Sequence, residues 1–210
     1  MKFLITAGPT REALDPVRYL TNRSSGRMGY ALAGAARHEG HSVLLISGPT
    51  TLDVPEGVDF IQVETAQQMY ETVRDMRRGV DIAILCAAVA DYRPVAQAEH
   101  KIKKTEERIT LELERTPDIL GSMRTEFNYG GVLVGFAAET NDVIENAQGK
   151  LHRKGCDMIV ANDVSRPGIG FGSAENEVTL IYTDRTEPLP RESKEWIAMQ
   201  IVEHALALVP

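Results

Sequence analysis

The chain has 210 residues, which suffice for one large domain with a hydrophobic core, and 43% of them are hydrophobic and 25% charged, as in soluble proteins. The formal net charge of −7 argues against a general nucleic-acid-binding protein, because such proteins present a basic surface to phosphates. Cys86 and Cys156 are too few for a disulfide framework, and no apolar run approaches the ~20 residues of a membrane span. The amino terminus lacks a signal-peptide pattern, so we expect a soluble, cytoplasmic protein.

Short apolar strands alternate with amphipathic helices along most of the chain. Strands are predicted over residues 3–8, 42–47, 59–63, 81–90, 131–137, 158–161 and 178–182. Helices are predicted over residues 28–40, 66–78, 117–124, 142–154 and 192–208, with residues 10–25 as a loop. Strands separated by helices favour a parallel sheet with right-handed crossovers. The sequence therefore predicts a single α/β domain over residues 1–210, built on a Rossmann-like, doubly wound, mostly parallel sheet.

Residues 92–116 interrupt this alternation. Ile109, Leu111 and Leu113 alternate with polar residues, which predicts a half-exposed strand. We expect this strand to belong to a β-hairpin arm that protrudes from the domain over about residues 93–115.

Four residues lie at the carboxyl ends of predicted strands and mark the expected ligand site. In doubly wound sheets the ligand lies beyond the carboxyl ends of the strands. Gly8, Asp91, Phe136 and Asn162 fall at such ends, so separate motifs are expected to share one pocket.

The segment 21–29 combines serine, glycine and arginine at the predicted start of a helix. Backbone N–H groups, hydroxyls and cationic charge at that position suit a phosphate or another compact anion. Ser24, Ser25, Gly26 and Gly29 are therefore candidate phosphate ligands.

An NAD(P)-dependent, short-chain-type reductase is the first alternative for such a fold. The tight G-x-G-x-x-G is absent, since seventeen residues separate Gly8 from Gly26. The second strand also ends without the acidic residue that binds an NAD ribose, and no Tyr-x-x-x-Lys pair follows the fourth strand. A non-catalytic nucleotide-binding regulator is a further alternative, which the pattern alone leaves open.

Eight short segments match one known family in order along the chain. They are 8–12 (GPTRE), 15–19 (DPVRY), 22–29 (NRSSGRMG), 87–94 (AAVADYRP), 101–104 (KIKK), 116–120 (TPDIL), 135–140 (GFAAET) and 161–164 (ANDV). Together they resemble the phosphopantothenoylcysteine synthetases, ligases of coenzyme A biosynthesis that often form the C-terminal half of a bifunctional bacterial flavoprotein. The resemblance runs from about Lys2 to the terminal helix.

This resemblance implies a reaction in two steps. CTP activates 4′-phosphopantothenate to an acyl-cytidylate with release of pyrophosphate, and the amine of cysteine then displaces CMP. The resemblance favours CTP over ATP, implies a requirement for Mg²⁺ and a homodimer that forms through the arm, and gives no reason to expect FMN. Whether the chain is a stand-alone protein or a domain of a bifunctional enzyme stays open.

The resemblance also implies roles for individual residues. Asn22 would bind the acyl-cytidylate, Arg18 would serve the second half-reaction, and Lys101 would contact phosphate. CTP contacts are implied for Ser24, Ser25, Gly26, Gly29, Cys86, Ala87, Ala88, Asp91, Lys101, Pro117, Asp118, Ile119, Leu120, Phe136, Lys150 and Lys154. Asp91 would contact the nucleotide, either through the ribose or through Mg²⁺ held on the triphosphate. The glycines of segment 165–172 suggest a flexible lid. From the residues alone, each also admits a structural role, such as a turn asparagine, a capped helix or a core phenylalanine.

Overall fold

The computed structural model describes residues 1–104, 107–165 and 173–210. Its strands are β1 (Lys2–Ala7), β2 (Arg11–Ala13), β3 (Tyr19–Thr21), β4 (Ser42–Ser47), β5 (Asp59–Gln62), β6 (Ile82–Leu85), β7 (Tyr92–Pro94), β8 (Leu113–Arg115), β9 (Val132–Glu139), β10 (Met158–Asp163), β11 (Glu175–Ile181) and β12 (Thr186–Ser193). Its helices are α1 (Arg27–His38), α2 (Ala66–Met76), α3 (Ile119–Thr125), α4 (Val143–Lys154) and α5 (Lys194–Leu206).

One eight-stranded sheet organises the chain, in the order β12-β11-β10-β9-β6-β1-β4-β5. The six neighbouring strands β10, β9, β6, β1, β4 and β5 pair in parallel. Strands β11 and β12 are antiparallel additions at one edge. The predicted α/β class and the doubly wound, mostly parallel sheet are confirmed. The direction in which strands are added reverses between β1 and β6, and ligands of such sheets bind beyond the carboxyl ends of the strands at that point.

Helices cover both faces of the sheet. α1 and α5 pack on one face through side chains such as Leu32 and Ile201, while α2, α3 and α4 pack on the other through side chains such as Met69 and Leu151. Strands covered on both faces read as continuous apolar runs, which explains the sequence of β1 and β6. The two faces are called the α1/α5 face and the α3/α4 face below.

Three regions of the chain differ from the sequence-based expectation. Segment 10–25, expected to be a loop, contains the β2–β3 hairpin, whose three-residue strands are too short to show a period. β12 was missed because Pro188 and Pro190 disfavour a strand, yet an edge strand tolerates proline. The strand expected over 81–90 ends at Leu85, and beyond it Ala88 forms an isolated bridge with Pro9.

The predicted hairpin arm is present in part. β7 pairs with β8 in antiparallel register, with Tyr92 opposite Arg115. The alternating segment itself is not a regular strand at Ile109 and Leu111, whose side chains are 64% and 40% exposed. Among the described residues of the arm, pairing is therefore limited to its base.

No helix in the described part of the chain is both long and apolar enough to cross a membrane.

Candidate functional site

A cleft of about 990 Å³ opens at the carboxyl edge of the sheet, where the strand order reverses between β1 and β6. Its walls come from the start of α1, the segment after β6, the turn into α3, the end of β9 and one side of α4. The sequence-predicted residues that line it are Asn22, Ser24, Ser25, Gly26, Gly29, Cys86, Ala87, Ala88, Asp91, Pro117, Asp118, Ile119, Leu120, Phe136, Lys150 and Lys154. One chain therefore brings most of the candidate residues to a single site.

The amino terminus of α1 forms one wall. Its N-cap residue Gly26 has a φ of +78°, and a Cβ there would lie 2.7 Å from Cγ2 of Thr50, so a larger residue would be strained. No described side chain caps this helix, so the first amides of α1, which lack partners within the helix, are available to an anion.

Gly29 also lines the cleft, but packing explains why it is a glycine. A Cβ at this position would lie 2.4 Å from the Cβ of Ala7, so only glycine lets α1 approach β1 so closely. The close approach brings the start of α1 over the carboxyl end of β1.

Asn22 joins two loops at the mouth of the cleft. Its Nδ2 donates to the carbonyl oxygens of Ala88 (3.0 Å) and Val89 (3.1 Å). The segment after β6 is also tied to the loop after β1, because the amide of Ala88 donates to the carbonyl of Gly8 at 2.9 Å. The amide of Asn22 is thereby fixed in orientation against backbone groups of the cleft.

The opposite wall carries two lysines from α4, each with a partner. Nζ of Lys150 donates to the carbonyl of Phe136 at 2.6 Å, and Nζ of Lys154 forms an ion pair with Asp118. Asp118 also caps α3 by accepting from the amide of Gly121 at 3.0 Å. The repulsion between these two like charges, which their four-residue spacing predicts, is thus reduced because each ammonium group has a hydrogen-bond acceptor.

Burial shifts the pKa values of ionisable side chains that line the cleft. Burial lowers the pKa of Lys150, against the opposing charge of Glu139. Burial opposes ionisation of Asp118, but the hydrogen bond from Lys154 and the amide of Gly121 together hold its pKa below the usual range. Burial also raises the pKa of Cys86, on the cleft wall, to about 12, so this thiol is protonated at neutral pH.

Asp91 stands at the base of the arm. Its backbone carbonyl accepts from the amide of Thr116 at 3.0 Å, and the hydroxyl of Thr116 donates to the carbonyl of Ala90 at 2.6 Å. The exposed carboxylate lies on the cleft wall. Across the described ranges, no three histidine, cysteine or acidic side chains cluster as metal ligands.

Arg18 and Lys101 do not line the cleft of the single chain. Arg18 Nε donates to Oδ2 of the buried Asp15 at 3.0 Å, and its Nη2 donates to the carbonyl of Ile102 at 2.9 Å. The amide of Ile102 donates back to Asp15 at 3.1 Å. This latch, formed by Asp15, Arg18 and Ile102, fastens the segment that carries the exposed Lys101 to the β2–β3 hairpin.

The hydrogen bond from Arg18 leads the effects that hold the pKa of Asp15 well below its usual range, and backbone amides add to it against the effect of burial. The expected lid falls largely outside the described residues, since 166–172 are not among them.

Several residues of the cleft were not assigned to it from the sequence. Lys194, the first residue of α5, is only 4% exposed, and its Nζ donates to the carbonyls of Ser173 (2.7 Å) and Glu175 (3.2 Å). Burial, and then the charge of Arg27, lower its pKa. The other cleft residues without an assigned role include Arg115, Glu139, Arg153 and Asn176. A lysine at a helix start carries no sequence signal for burial. Asn162, by contrast, was expected at this site from its position at a strand end, and it lines the cleft.

Comparisons with known proteins agree with this picture. Residues 1–208 match the family model described as DNA/pantothenate metabolism flavoprotein C-terminal domain. The chain is 52% identical over 202 residues to the coenzyme A biosynthesis bifunctional protein CoaBC of Vibrio parahaemolyticus, with 95% of this chain and 51% of that protein covered. The chain thus spans about half the length of the curated relatives it matches.

Solved structures share the fold. The crystal structure of the C-terminal domain of a CoaBC protein superposes with a TM-score of 0.83 at 44% identity and covers 99% of this chain and 95% of that one. A Cab2 mutant in complex with phosphopantothenate-cysteine superposes with a TM-score of 0.78 at 18% identity, covering 98% of this chain and 85% of that one. The second likeness supports the fold alone.

Proposed function

Because the chain belongs to the family of DNA/pantothenate metabolism flavoprotein C-terminal domains, we propose that it acts in coenzyme A biosynthesis as a phosphopantothenate–cysteine ligase. Its fold over residues 1–210 would work as a single domain. The observation that carries the proposal is the cleft. The start of α1, which no described side chain caps, forms one wall, and Lys150 and Lys154 lie on the other. A cleft of about 990 Å³ with cationic groups on both walls suits a nucleoside triphosphate and a second anionic substrate together.

The proposed reaction has two steps. A carboxylate oxygen of 4′-phosphopantothenate attacks the α-phosphorus of CTP, the bond to the β-phosphate oxygen breaks, and pyrophosphate leaves. The cysteine nitrogen then attacks the acyl carbon, the bond to the cytidylate oxygen breaks, and CMP leaves while the amine proton passes to solvent. Negative charge gathers around the α-phosphorus in the first step, so fixed cations and amides there lower the barrier.

The residues of the cleft fit these demands. Lys150 and Lys154 would neutralise the triphosphate, and a bound phosphate would compete with Asp118 for Lys154. Asn22 would hold the acyl-cytidylate against the segment after β6, where Ala87 and Ala88 leave room for the molecule. Reacting groups that are held in line react faster, because binding has already removed the translational and rotational freedom that the reaction would otherwise cost.

Magnesium is proposed as the accompanying ion. It commonly binds one or two carboxylates together with phosphate oxygens, so the exposed carboxylate of Asp91 on the cleft wall fits a magnesium–triphosphate complex. When bound, the ion would reduce the charge of the triphosphate.

A homodimer is proposed because Lys101 lies away from the cleft of its own chain. The arm exposes the apolar side chains of Ile109, Leu111 and Leu113, which are 64%, 40% and 42% exposed. Pairing of two arms would cover these side chains and could carry the segment of Lys101 toward the partner's cleft. Light scattering coupled to size exclusion tests the oligomeric state, and a monomer at working concentration would contradict it.

The function is tested by supplying 4′-phosphopantothenate, cysteine, Mg²⁺ and either CTP or ATP to the purified chain. We expect pyrophosphate to form with CTP, and CMP to be released when cysteine is added. Hydride transfer with NADPH in place of these products would support the reductase, and tight nucleotide binding without turnover would support the regulator. Equal or faster turnover with ATP would overturn the nucleotide preference but keep the ligase.

A further inference from the structure

Thr10 belongs to segment 8–12, one of the segments that match the family, yet the cleft does not explain it. It follows the turn after β1, its side chain is fully buried, and it does not line the cleft. Threonine is mostly found at protein surfaces, and a buried hydroxyl needs a hydrogen-bond partner to offset the loss of water. The partners of Thr10 therefore indicate what this residue does.

Two hydrogen bonds join Thr10 to the segment after β6. Its Oγ1 accepts from the amide of Ala90 at 2.9 Å, and its own amide donates to the carbonyl of Ala88 at 3.3 Å. Asn22 donates to carbonyls of the same segment, those of Ala88 and Val89. Thr10 thus fixes the backbone that provides the acceptors of Asn22.

Thr10 also contacts the strand that leads to Asn22. Its carbonyl accepts from Oγ1 of Thr21 at 2.7 Å, and Thr21 is the last residue of β3. Asn22 comes next in the chain. One buried residue therefore determines both where the backbone of Asn22 lies and where the acceptors of its side chain lie.

The β2–β3 hairpin has separate anchors outside the cleft. The buried carboxylate of Glu12 accepts from the amide of Ala66, the first residue of α2, at 2.8 Å. The amide of Arg11 donates to the carbonyl of Glu64, also at 2.8 Å. Since these bonds hold β2 beside α2, on the α3/α4 face, a change at Thr10 should shift the end of β3 and leave the rest of the hairpin attached.

We propose that Thr10 is a positioning residue that acts through Asn22 on the acyl-cytidylate. The inference rests on the proposed function, in which Asn22 holds this intermediate until cysteine arrives. If the intermediate is held less firmly, a water oxygen attacks the acyl carbon and the bond to the cytidylate oxygen breaks. The products are then free 4′-phosphopantothenate and CMP, while a proton passes to solvent. Thr10 thereby affects how many intermediates become amide and leaves the binding of CTP to the lysines of α4 unaffected.

Thr10→Val tests the proposal, because valine has nearly the shape of threonine but no acceptor for the amide of Ala90. The wild-type chain is expected to form about one pyrophosphate per amide, and the valine variant about three or more, since hydrolysis then competes with cysteine. Turnover to the amide should fall about tenfold. The KM for CTP should stay within about twofold of the wild-type value, since Lys150 and Lys154 lie on the other wall.

Two further variants separate positioning from a general loss of stability. Thr10→Ser keeps the hydroxyl and should return the ratio of pyrophosphate to amide to within about twofold of the wild-type value. Tyr129→Phe removes another buried hydroxyl, which donates to the carbonyl of Val132 at 3.2 Å at the start of β9. In this matched control the thermal midpoint should fall and the ratio of pyrophosphate to amide should not change.

A double variant tests whether Thr10 acts through Asn22. If Thr10 only positions Asn22, Thr10→Val should reduce turnover by no more than about twofold in a chain that already carries Asn22→Ala. Independent roles would multiply, so the double variant would lose about tenfold more turnover than Asn22→Ala alone. That multiplied loss would overturn the proposal.

Thr10 has no positioning role if its valine variant folds and keeps the wild-type ratio of pyrophosphate to amide, or if the serine variant raises that ratio equally. Should circular dichroism show that Thr10→Val is unfolded, Thr21→Val takes its place. It removes the donor to the Thr10 carbonyl at an exposed position and must also raise the ratio. A wild-type chain that forms no pyrophosphate contradicts the proposed function, whereas a normally coupled wild type beside unaffected variants contradicts only the role of Thr10.

Discussion

Polar groups are arranged differently at the amino ends and at the carboxyl ends of the strands, called the amino edge and the carboxyl edge of the sheet. At the amino edge, Arg124 Nη2 donates to Asp157 Oδ2 at 2.7 Å, and its Nε donates to the carbonyl of Gly155 at 3.0 Å. Asp157 also accepts from the amide of Leu133 at 2.7 Å. At the carboxyl edge, the start of α1 is capped by no described side chain, and Oδ1 of Asn162 accepts from no described residue; both lie at the open cleft. The Arg124–Asp157 cluster satisfies its polar groups within the chain, whereas the start of α1 and Asn162 leave groups that a bound molecule could contact.

The largest expected effect lies at the amino edge and concerns stability alone. Arg124→Ala removes a side chain that also donates to the carbonyl of Gly131 at 2.9 Å, so it leaves several acceptors unpaired. We expect the free energy of unfolding to fall by about 3 kcal/mol, measured by urea denaturation. The KM for CTP should stay within about twofold of the parent value. A strong rise in that KM with unchanged stability would contradict the assignment of the amino edge to stability alone.

At the carboxyl edge, Asn22→Asp should affect activity and spare the fold. The substitution places a carboxylate against the carbonyl oxygens of Ala88 and Val89, where the amide now donates. Turnover is expected to fall about 100-fold, and the acyl-cytidylate should accumulate or leak. Quenched reactions that separate the intermediate from CMP provide the measurement. Turnover equal to that of the parent chain would refute the role of Asn22.

A third prediction uses the ionisation of Lys150. Because burial lowers its pKa, this lysine loses its charge at a lower pH than an ordinary lysine, and the triphosphate then binds less tightly. The KM for CTP should rise with pH, by up to about tenfold per pH unit above that pKa. In Lys150→Arg, the guanidinium stays charged and the rise should flatten. An identical pH profile in the arginine variant would assign the effect to another group.

The smallest expected effect concerns the latch of Asp15, Arg18 and Ile102. The folded-state pKa of Asp15 is depressed, so the latch contributes stability above the unfolded pKa of about 4 and loses it as the pH falls through the folded value. Asp15→Asn should lower the urea midpoint slightly at neutral pH and weaken its dependence on acid pH. Since Arg18 is half-exposed, solvent screens most of this gain. A larger change at acid pH than at neutral pH would contradict this sign.

Sequence reasoning succeeded where local pattern and topology coincide. The apolar runs of β1, β4 and β6 and the glycines before α1 determined the sheet and the end at which the cleft opens. It missed β12, whose prolines suit only an edge position, and the buried Lys194, whose surroundings come from segments distant in sequence. The partners of Lys150 and Lys154 were equally invisible, because a carbonyl and a carboxylate reach them only after α3 and α4 pack.

The outer strand β12 has a consequence for assembly. It ends the sheet, and Pro188 and Pro190 remove two N–H donors from its backbone. A neighbouring molecule that tried to extend the sheet there would find an interrupted ladder, which discourages edge-to-edge polymerisation. Association between chains through the edge strand β12 is therefore disfavoured relative to side-chain contacts elsewhere on the surface.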